Sequence, residues 1–245
     1  MSGHCIPLVD REVCFWPIHL ERSTSALARC KAVLAPDEQK KAGRFRFEHL
    51  QHSFILARGC LRFLLSRYLQ VSPNCIQFIY GPQGKPSLVP PARITFNMSR
   101  SGRLAVFAFT TKCEIGVDVE LIRAISDMPL IASQFFCPEE AAELLSLPYY
   151  QRAHAFFLCW TRKEAYVKAV GRGLSIPLDE FRVTLRPDEP ARLVHLKRDI
   201  DAAKIWTLHS LIPTSQHAAA VAYKDEPRPV RTLPALDVGR LLESF

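Results

Sequence analysis

Two short acidic segments hold the residues best suited to chemistry, Gly116-Val117-Asp118-Val119-Glu120 and Trp160-Thr161-Arg162-Lys163-Glu164-Ala165-Tyr166-Val167-Lys168. The first is flanked by Ile115 and Leu121 and reads as a strand. Successive side chains on a strand point to opposite faces, so Ile115, Val117 and Val119 face a core while Asp118 and Glu120 face the other way. At a rise of about 3.3 Å per residue, the two carboxylates stand roughly 6–7 Å apart. Like charges at that separation repel unless a cation lies between them. The second segment reads as a helix, which puts Glu164 and Lys168 on one face at i, i+4. Three carboxylates that can converge, with no His or Cys nearby, suit a hard cation with oxygen ligands such as Mg²⁺, with Mn²⁺ as the alternative.

The elements that must position these groups are legible around them. Val13 to Trp16 reads as part of an opening strand within residues 6–20. Pro36-Asp37-Glu38 starts a helix, with Pro in the first turn and acids at the positive end of the dipole. That helix runs to about Tyr68 with a break near Gly43, and Phe54, Leu61, Leu64 and Leu65 form its core face. Ile76–Tyr80 reads as a strand, Gly81 to Pro86 as a turn-rich loop, and Arg93–Asn97 and Leu104–Phe109 as two strands around Ser99-Arg100-Ser101-Gly102. After the acidic strand come helices from about Met128 to Leu147, restarting at Pro138-Glu139-Glu140, and a long helix from Tyr149 to Val170 that Gly171 ends. Four strand-like stretches follow, Arg182–Leu185, Arg192–Leu196, Ile205–Leu208 and Ala219–Ala222. The two halves share an element order without a sequence repeat and join near Thr110 to Glu114. This gives an N-terminal subdomain over 1–112, a C-terminal subdomain over 113–224 that carries the acidic motifs, and a peripheral tail over 225–245.

Composition sets the limits. The chain has 245 residues, 48% hydrophobic and 23% charged, which is ordinary for a globular protein. No apolar run approaches the ~20 residues of a membrane span, and Met1-Ser2-Gly3-His4-Cys5 lacks the pattern of a signal peptide. Eight scattered cysteines form no CxxC pair. They point to free thiols in a reducing, cytoplasmic setting rather than to disulfides or zinc. The net charge of +8 points to an anionic partner. Its even spread, without a long Lys/Arg run, argues against a nucleic-acid-binding tail.

Each feature has a plain alternative when taken alone. Glu164 and Lys168 read as a surface ion pair, Asp118 and Glu120 as a solvated strand face, Gly81 to Pro86 as a hairpin loop and Arg100 as surface decoration. Phe156, Phe157 and Trp160 read as core, and the histidines show no ligand spacing. The functional case rests on the combination and its order.

That combination resembles the Sfp-type 4′-phosphopantetheinyl transferases. The family's Gly-[Val/Ile]-Asp-x-Glu strand and its Trp-x-x-Lys-Glu-[Ala/Ser]-x-x-Lys helix are the two segments above. Gly84-Lys85-Pro86, Phe96-Asn97-Met98-Ser99-Arg100-Ser101 and Gly171-Arg172-Gly173-Leu174-Ser175-Ile176-Pro177-Leu178 match three more family motifs, in order, over about residues 36–181. One position departs: Arg100 stands where the family has a histidine on the phosphates of coenzyme A, and an arginine makes the same contact while staying charged. The resemblance implies an α+β fold of two similar subdomains in a pseudo-dimeric monomer, with the active site in the cleft between them. It implies Mg²⁺-dependent transfer of the phosphopantetheine arm of coenzyme A to a serine of an acidic apo carrier protein (acyl, aryl or peptidyl), without nucleic acid or membrane. Asp118, Glu120 and Glu164 would hold the metal, and Glu164 and Lys168 would be catalytic. Lys85, Ser99, Arg100, Lys41, Arg44, Asp118 and Lys168 would contact coenzyme A. The rival readings are a Mg²⁺-dependent nuclease of the Asp…Glu-x-Lys kind and a non-catalytic homologue that binds carrier proteins. The first would need its lysine two residues from the glutamate along a strand, not four along a helix.

Overall fold

The computed structural model describes residues 8–21 and 23–245, so Cys5 and the N-terminal pattern at Met1-Ser2-Gly3-His4-Cys5 lie outside the described residues. The first half runs β1 (Val13–His19), α1 (Thr24–Ala32), α2 (Pro36–Ala42), α3 (Glu48–Leu69), β2 (Phe78–Tyr80), β3 (Pro86–Leu88), β4 (Ile94–Ser101) and β5 (Leu104–Thr111). The second runs β6 (Ile115–Leu121), α4 (Met128–Phe135), α5 (Pro138–Ser146), α6 (Tyr149–Val170), β7 (Phe181–Val183), β8 (Leu193–Leu196), α7 (Ile200–Lys204), β9 (Thr207–Thr214) and β10 (His217–Tyr223). Each half thus has a strand, two short helices, a 22-residue helix, a short hairpin and a long hairpin, with α7 added between the hairpins of the second. The α+β fold of two similar subdomains is borne out.

Packing follows from the alternation. In the first half, Cys60, Leu61, Leu64 and Leu65 of α3 pack with Trp16, Ile18, Phe107 and Phe109 from one sheet face. In the second, Ala155, Phe156, Cys159, Ala165 and Ala169 of α6 pack with Ala218, Ala220 and Ala222 of β10, whose small side chains let the helix lie close. The opposite faces of the two sheets meet in a third cluster that includes Phe15, Val106, Val117, Val119 and Val221. Ile115, Val117 and Val119 therefore face the core as the alternation requires, and Asp118 and Glu120 face α6.

At one margin the edge strands β4 and β6 lie side by side. Side chains join them there: Val117 N donates to Asn97 Oδ1 at 3.0 Å and Leu121 N donates to Ser101 Oγ at 3.1 Å. This explains one difference from the sequence reading. Ser99-Arg100-Ser101 lies in strand, not in a loop, and its alternating polar residues face a neighbouring strand edge rather than water. Helix α1 was not foreseen either. Only Ala26 and Cys30 of it are buried, too few to print a periodicity.

The tail corrects an expectation. Residues 225–245 are not peripheral: β11 (Val230–Thr232) and β12 (Leu236–Asp237) pair in parallel with β1, and α8 (Val238–Glu243) buries Val238, Leu241 and Leu242 in the first core. Parallel pairing makes the end of the chain complete the N-terminal sheet, a long-range contact that local sequence does not announce.

Candidate functional site

Helix α6 crosses β6 at Gly116. A Cβ there would lie 2.0 Å from Ala165 O, 2.3 Å from Ala169 N and 2.9 Å from Lys168 C, so only glycine permits this approach. The contact brings α6 down on the strand at the turn that carries Glu164 and Lys168, two residues from Asp118. Asp118 is buried at 3% exposure. Its Oδ1 accepts from Lys168 Nζ at 2.6 Å and from Ser99 Oγ at 2.8 Å, and Lys168 Nζ also donates to Ser99 Oγ at 2.9 Å. Oδ2 is buried with no hydrogen-bond partner. Lys168 therefore reaches Asp118 rather than making the i, i+4 pair with Glu164 that helix spacing alone suggests.

Glu120 and Glu164 are half-buried beside this cluster. Ser101 Oγ donates to Glu120 Oε2 at 2.8 Å. Burial pushes the Glu164 carboxyl up from its ordinary 4.5, as do Asp118 and Glu120, while Lys168 draws it down. Burial likewise raises Glu120; Ser101 and Lys168 oppose this, and Asp118 adds to it. Among the described residues, no group of three or more His, Cys, Asp and Glu side chains stands close enough to ligate a metal ion as arranged. The donor set still fits a hard cation on two observations. A buried carboxylate oxygen lacks any partner among the described residues, and two further carboxylates are disfavoured as anions by burial and by the neighbouring Asp118. A cleft of about 420 Å³ opens beside Glu120, walled by Arg123, Ile131, Phe156, Phe157 and Trp160.

The remaining predicted residues lie apart. Arg100, on β4 between Ser99 and Ser101, lines a cleft of about 530 Å³ with His49, Ser53 and Arg103. It has no carboxylate partner among the described residues, and burial lowers its pKa. Lys85 Nζ pairs with Glu114 Oε2 at 2.7 Å and donates to Ala169 O at 3.2 Å, at the C-terminal end of α6. Lys41 and Arg44 line a third cleft with Asp37, Lys40 and Tyr80. A larger cavity of about 1180 Å³ between Tyr68, Arg93 and Lys112 touches none of the candidate residues.

Two contributors went unread in the sequence. Ser101 orients Glu120, and the period-2 spacing from Ser99 was its signal. Gly116 sets the helix–strand distance, and a lone glycine inside a strand was its signal.

The raised carboxyls give a pH prediction. A carboxyl whose pKa is raised is protonated over a wider acid range, so ionised Glu120 and Glu164 are lost first as pH falls. Activity is expected to fall along an acid limb centred above 4.5, and saturating Mg²⁺ should move that limb to lower pH by favouring the anions. A pH–rate profile at two Mg²⁺ concentrations checks this. A limb unmoved by the metal would show that the cation does not meet these groups.

Comparison with known proteins finds similar chains. A family model described as 4′-phosphopantetheinyl transferase superfamily matches residues 114–222, and one described as 4′-phosphopantetheinyl transferase, N-terminal, matches residues 21–112. The 4′-phosphopantetheinyl transferase HetI of Nostoc is 39% identical over 220 residues, 89% of this chain and 90% of its own. The putative 4′-phosphopantetheinyl transferase slr0495 of Synechocystis is 35% identical over 182 residues, 74% of this chain and 72% of its own. The transferase Sfp of Bacillus subtilis is 33% identical over 160 residues, 65% of this chain and 70% of its own.

Proposed function

From the premise that this chain belongs to the 4′-phosphopantetheinyl transferase superfamily, we infer that it transfers the phosphopantetheine arm of coenzyme A to a serine hydroxyl of an apo carrier protein. The product besides the holo carrier is adenosine 3′,5′-bisphosphate. The observation that carries the site assignment is Asp118, held by Lys168 and Ser99 with its second oxygen buried and unpartnered, against Glu120 and Glu164. Membership of the family argues against the nuclease reading, and the intact Asp118, Glu120, Glu164 and Lys168 argue against a non-catalytic homologue.

The residues divide the work. Asp118, Glu120 and Glu164 would hold Mg²⁺, or Mn²⁺, which when bound would offset negative charge on the diphosphate oxygens. Glu164 accepts the proton of the attacking serine, and the raised affinity of its carboxyl for a proton suits it to that role. The new bond joins the serine oxygen to the phosphorus that carries the pantetheine, and the bond from that phosphorus to the bisphosphate oxygen breaks. Lys168 Nζ, already aimed at this point from α6, donates to the leaving phosphate. Arg100, desolvated and without a carboxylate partner among the described residues, anchors a phosphate of coenzyme A. Lys41 and Arg44 extend that basic surface. Lys85 reaches phosphate by exchanging its Glu114 contact. The net charge of +8 suits an acidic carrier protein.

No helix among the described residues is long and apolar enough to cross a membrane. We place the enzyme in the cytoplasm and take it to act as a monomer, because both sides of the β4–β6 seam come from one chain. Release of adenosine 3′,5′-bisphosphate, followed chromatographically with coenzyme A, Mg²⁺ and apo acyl carrier protein, tests the reading. Release that needs the carrier and stops with EDTA supports it, whereas release without the carrier would mean hydrolysis instead of transfer.

A further inference from the structure

We propose that Glu140 and Lys163 are positioning residues, a dry ion pair that sets the rotation and height of α6 so that Glu164 and Lys168 meet Asp118. The proposal rests on the functional reading above for what α6 presents, but on separate atoms.

Lys163 Nζ lies 2.7 Å from Glu140 Oε2, and both side chains are 0% exposed. Nζ also donates to Leu178 O at 2.8 Å and Phe181 O at 2.6 Å, which uses all three of its N–H bonds. Glu140 accepts from Cys137 N at 3.0 Å and Val183 N at 2.7 Å. The pair therefore joins α5, α6 and β7 at one point and has no surface left for a substrate. Lys163 is the residue before Glu164, so a change in its seat is passed directly to the carboxylate.

The N-terminal half contains a related device, in which a second arginine, Arg58, also pairs with the glutamate, Glu38, at 2.6 Å. Glu38 accepts from Ala35 N at 2.8 Å and pairs with Arg62 at 2.7 Å, and Arg62 donates to Pro73 O and Ile76 O, each at 2.9 Å. Each glutamate stands two residues after a helix-starting proline, Pro36 or Pro138. Arg62 and Lys163 occupy the same position along their 22-residue helices, and each reaches two carbonyls three residues apart. Yet the positions that match Asp118, Glu120, Glu164 and Lys168 in that half are Trp16, Ile18, Phe63 and Arg67. The ion pair therefore occurs where no carboxylate cluster exists, which marks it as a device of the scaffold. A buried pair stabilises little net, because desolvation offsets attraction, but removing one partner strands a charge and frees the element it held. In the C-terminal half the element so held is the one that carries the chemistry.

The experiment compares Lys163→Met, Lys163→Arg and Arg62→Met in the full chain. It measures melting temperature, kcat and KM for coenzyme A, and Mn²⁺ affinity by the electron paramagnetic resonance of the free ion. Loss of a group that orients ligands without touching the ion typically weakens metal affinity or activity by about 10–100-fold. Lys163→Met is expected to show that loss in both kcat and Mn²⁺ affinity, with KM changed by less than about 3-fold. Lys163→Arg, which copies the N-terminal half, should restore kcat to within about 3-fold of the parent. Arg62→Met should lower the melting temperature yet keep kcat at saturating coenzyme A. Full kcat and Mn²⁺ affinity in folded Lys163→Met, or an equal kcat loss in Arg62→Met, would overturn the proposal. If Lys163→Met does not fold, Glu140→Gln takes its place with the same Mn²⁺ readout. A parent protein with no transferase activity would sink the functional reading alone, since the Mn²⁺ contrast among variants still decides this one.

Discussion

Glu164→Gln is expected to lower kcat by about 10²–10⁴-fold, the range typical of a lost general base, while the fold stays intact. The side chain keeps its volume and loses its charge and its basicity. Glu164 is half-buried on α6, and no hydrogen bond among the described residues ties it to the core, so little stability depends on it. The loss should fall on kcat rather than on KM for coenzyme A, because the proton moves only in the transition state. Circular dichroism and steady-state kinetics at saturating Mg²⁺ check the split. A kcat within about 3-fold of the parent would remove Glu164 from the mechanism.

Gly116→Ala is the second large effect. The added methyl carbon would lie within 3 Å of three backbone atoms of α6, none of which can rotate away. Overpacking of this kind costs roughly 1–3 kcal/mol, and rigid backbone neighbours put this case near about 3 kcal/mol. For a chain of this length that corresponds to a fall in melting temperature of about 6–12 °C. The folded fraction should also lose activity, because the strain is relieved only by lifting α6, and with it Glu164 and Lys168, away from Asp118. A melting temperature within about 2 °C of the parent would show that the helix does not depend on this contact.

How far the sequence foretold this arrangement depends on range. Short-range patterns were legible. The alternation in Ile115–Leu121 gave a strand with one apolar and one acidic face, and Gly171 ended the long helix with its positive φ of 76°. The break near Gly43 separated α2 from α3. Long-range pairing was not legible. The pairing of β11 with β1 spans most of the chain, and the side-chain seam between β4 and β6 follows no local rule. The site shows the same division. Asp118, Glu120, Glu164 and Lys168 were identifiable from type and spacing, but the partner of Lys168 was not, since helix geometry favours Glu164 and the fold supplies Asp118. Glu140 and Lys163 looked like a first-turn acid and a motif lysine, and only burial reveals them as a pair. The repeat was hidden because its two copies use different cations, Arg62 and Lys163, on otherwise dissimilar helices.

The most direct test of the central claim is the intact mass of an apo acyl carrier protein incubated with this protein, coenzyme A and Mg²⁺. The account predicts a gain of one phosphopantetheine arm on the carrier serine, absent with EDTA and absent with Asp118→Ala. A carrier whose mass never changes, across acyl, aryl and peptidyl types, would contradict it.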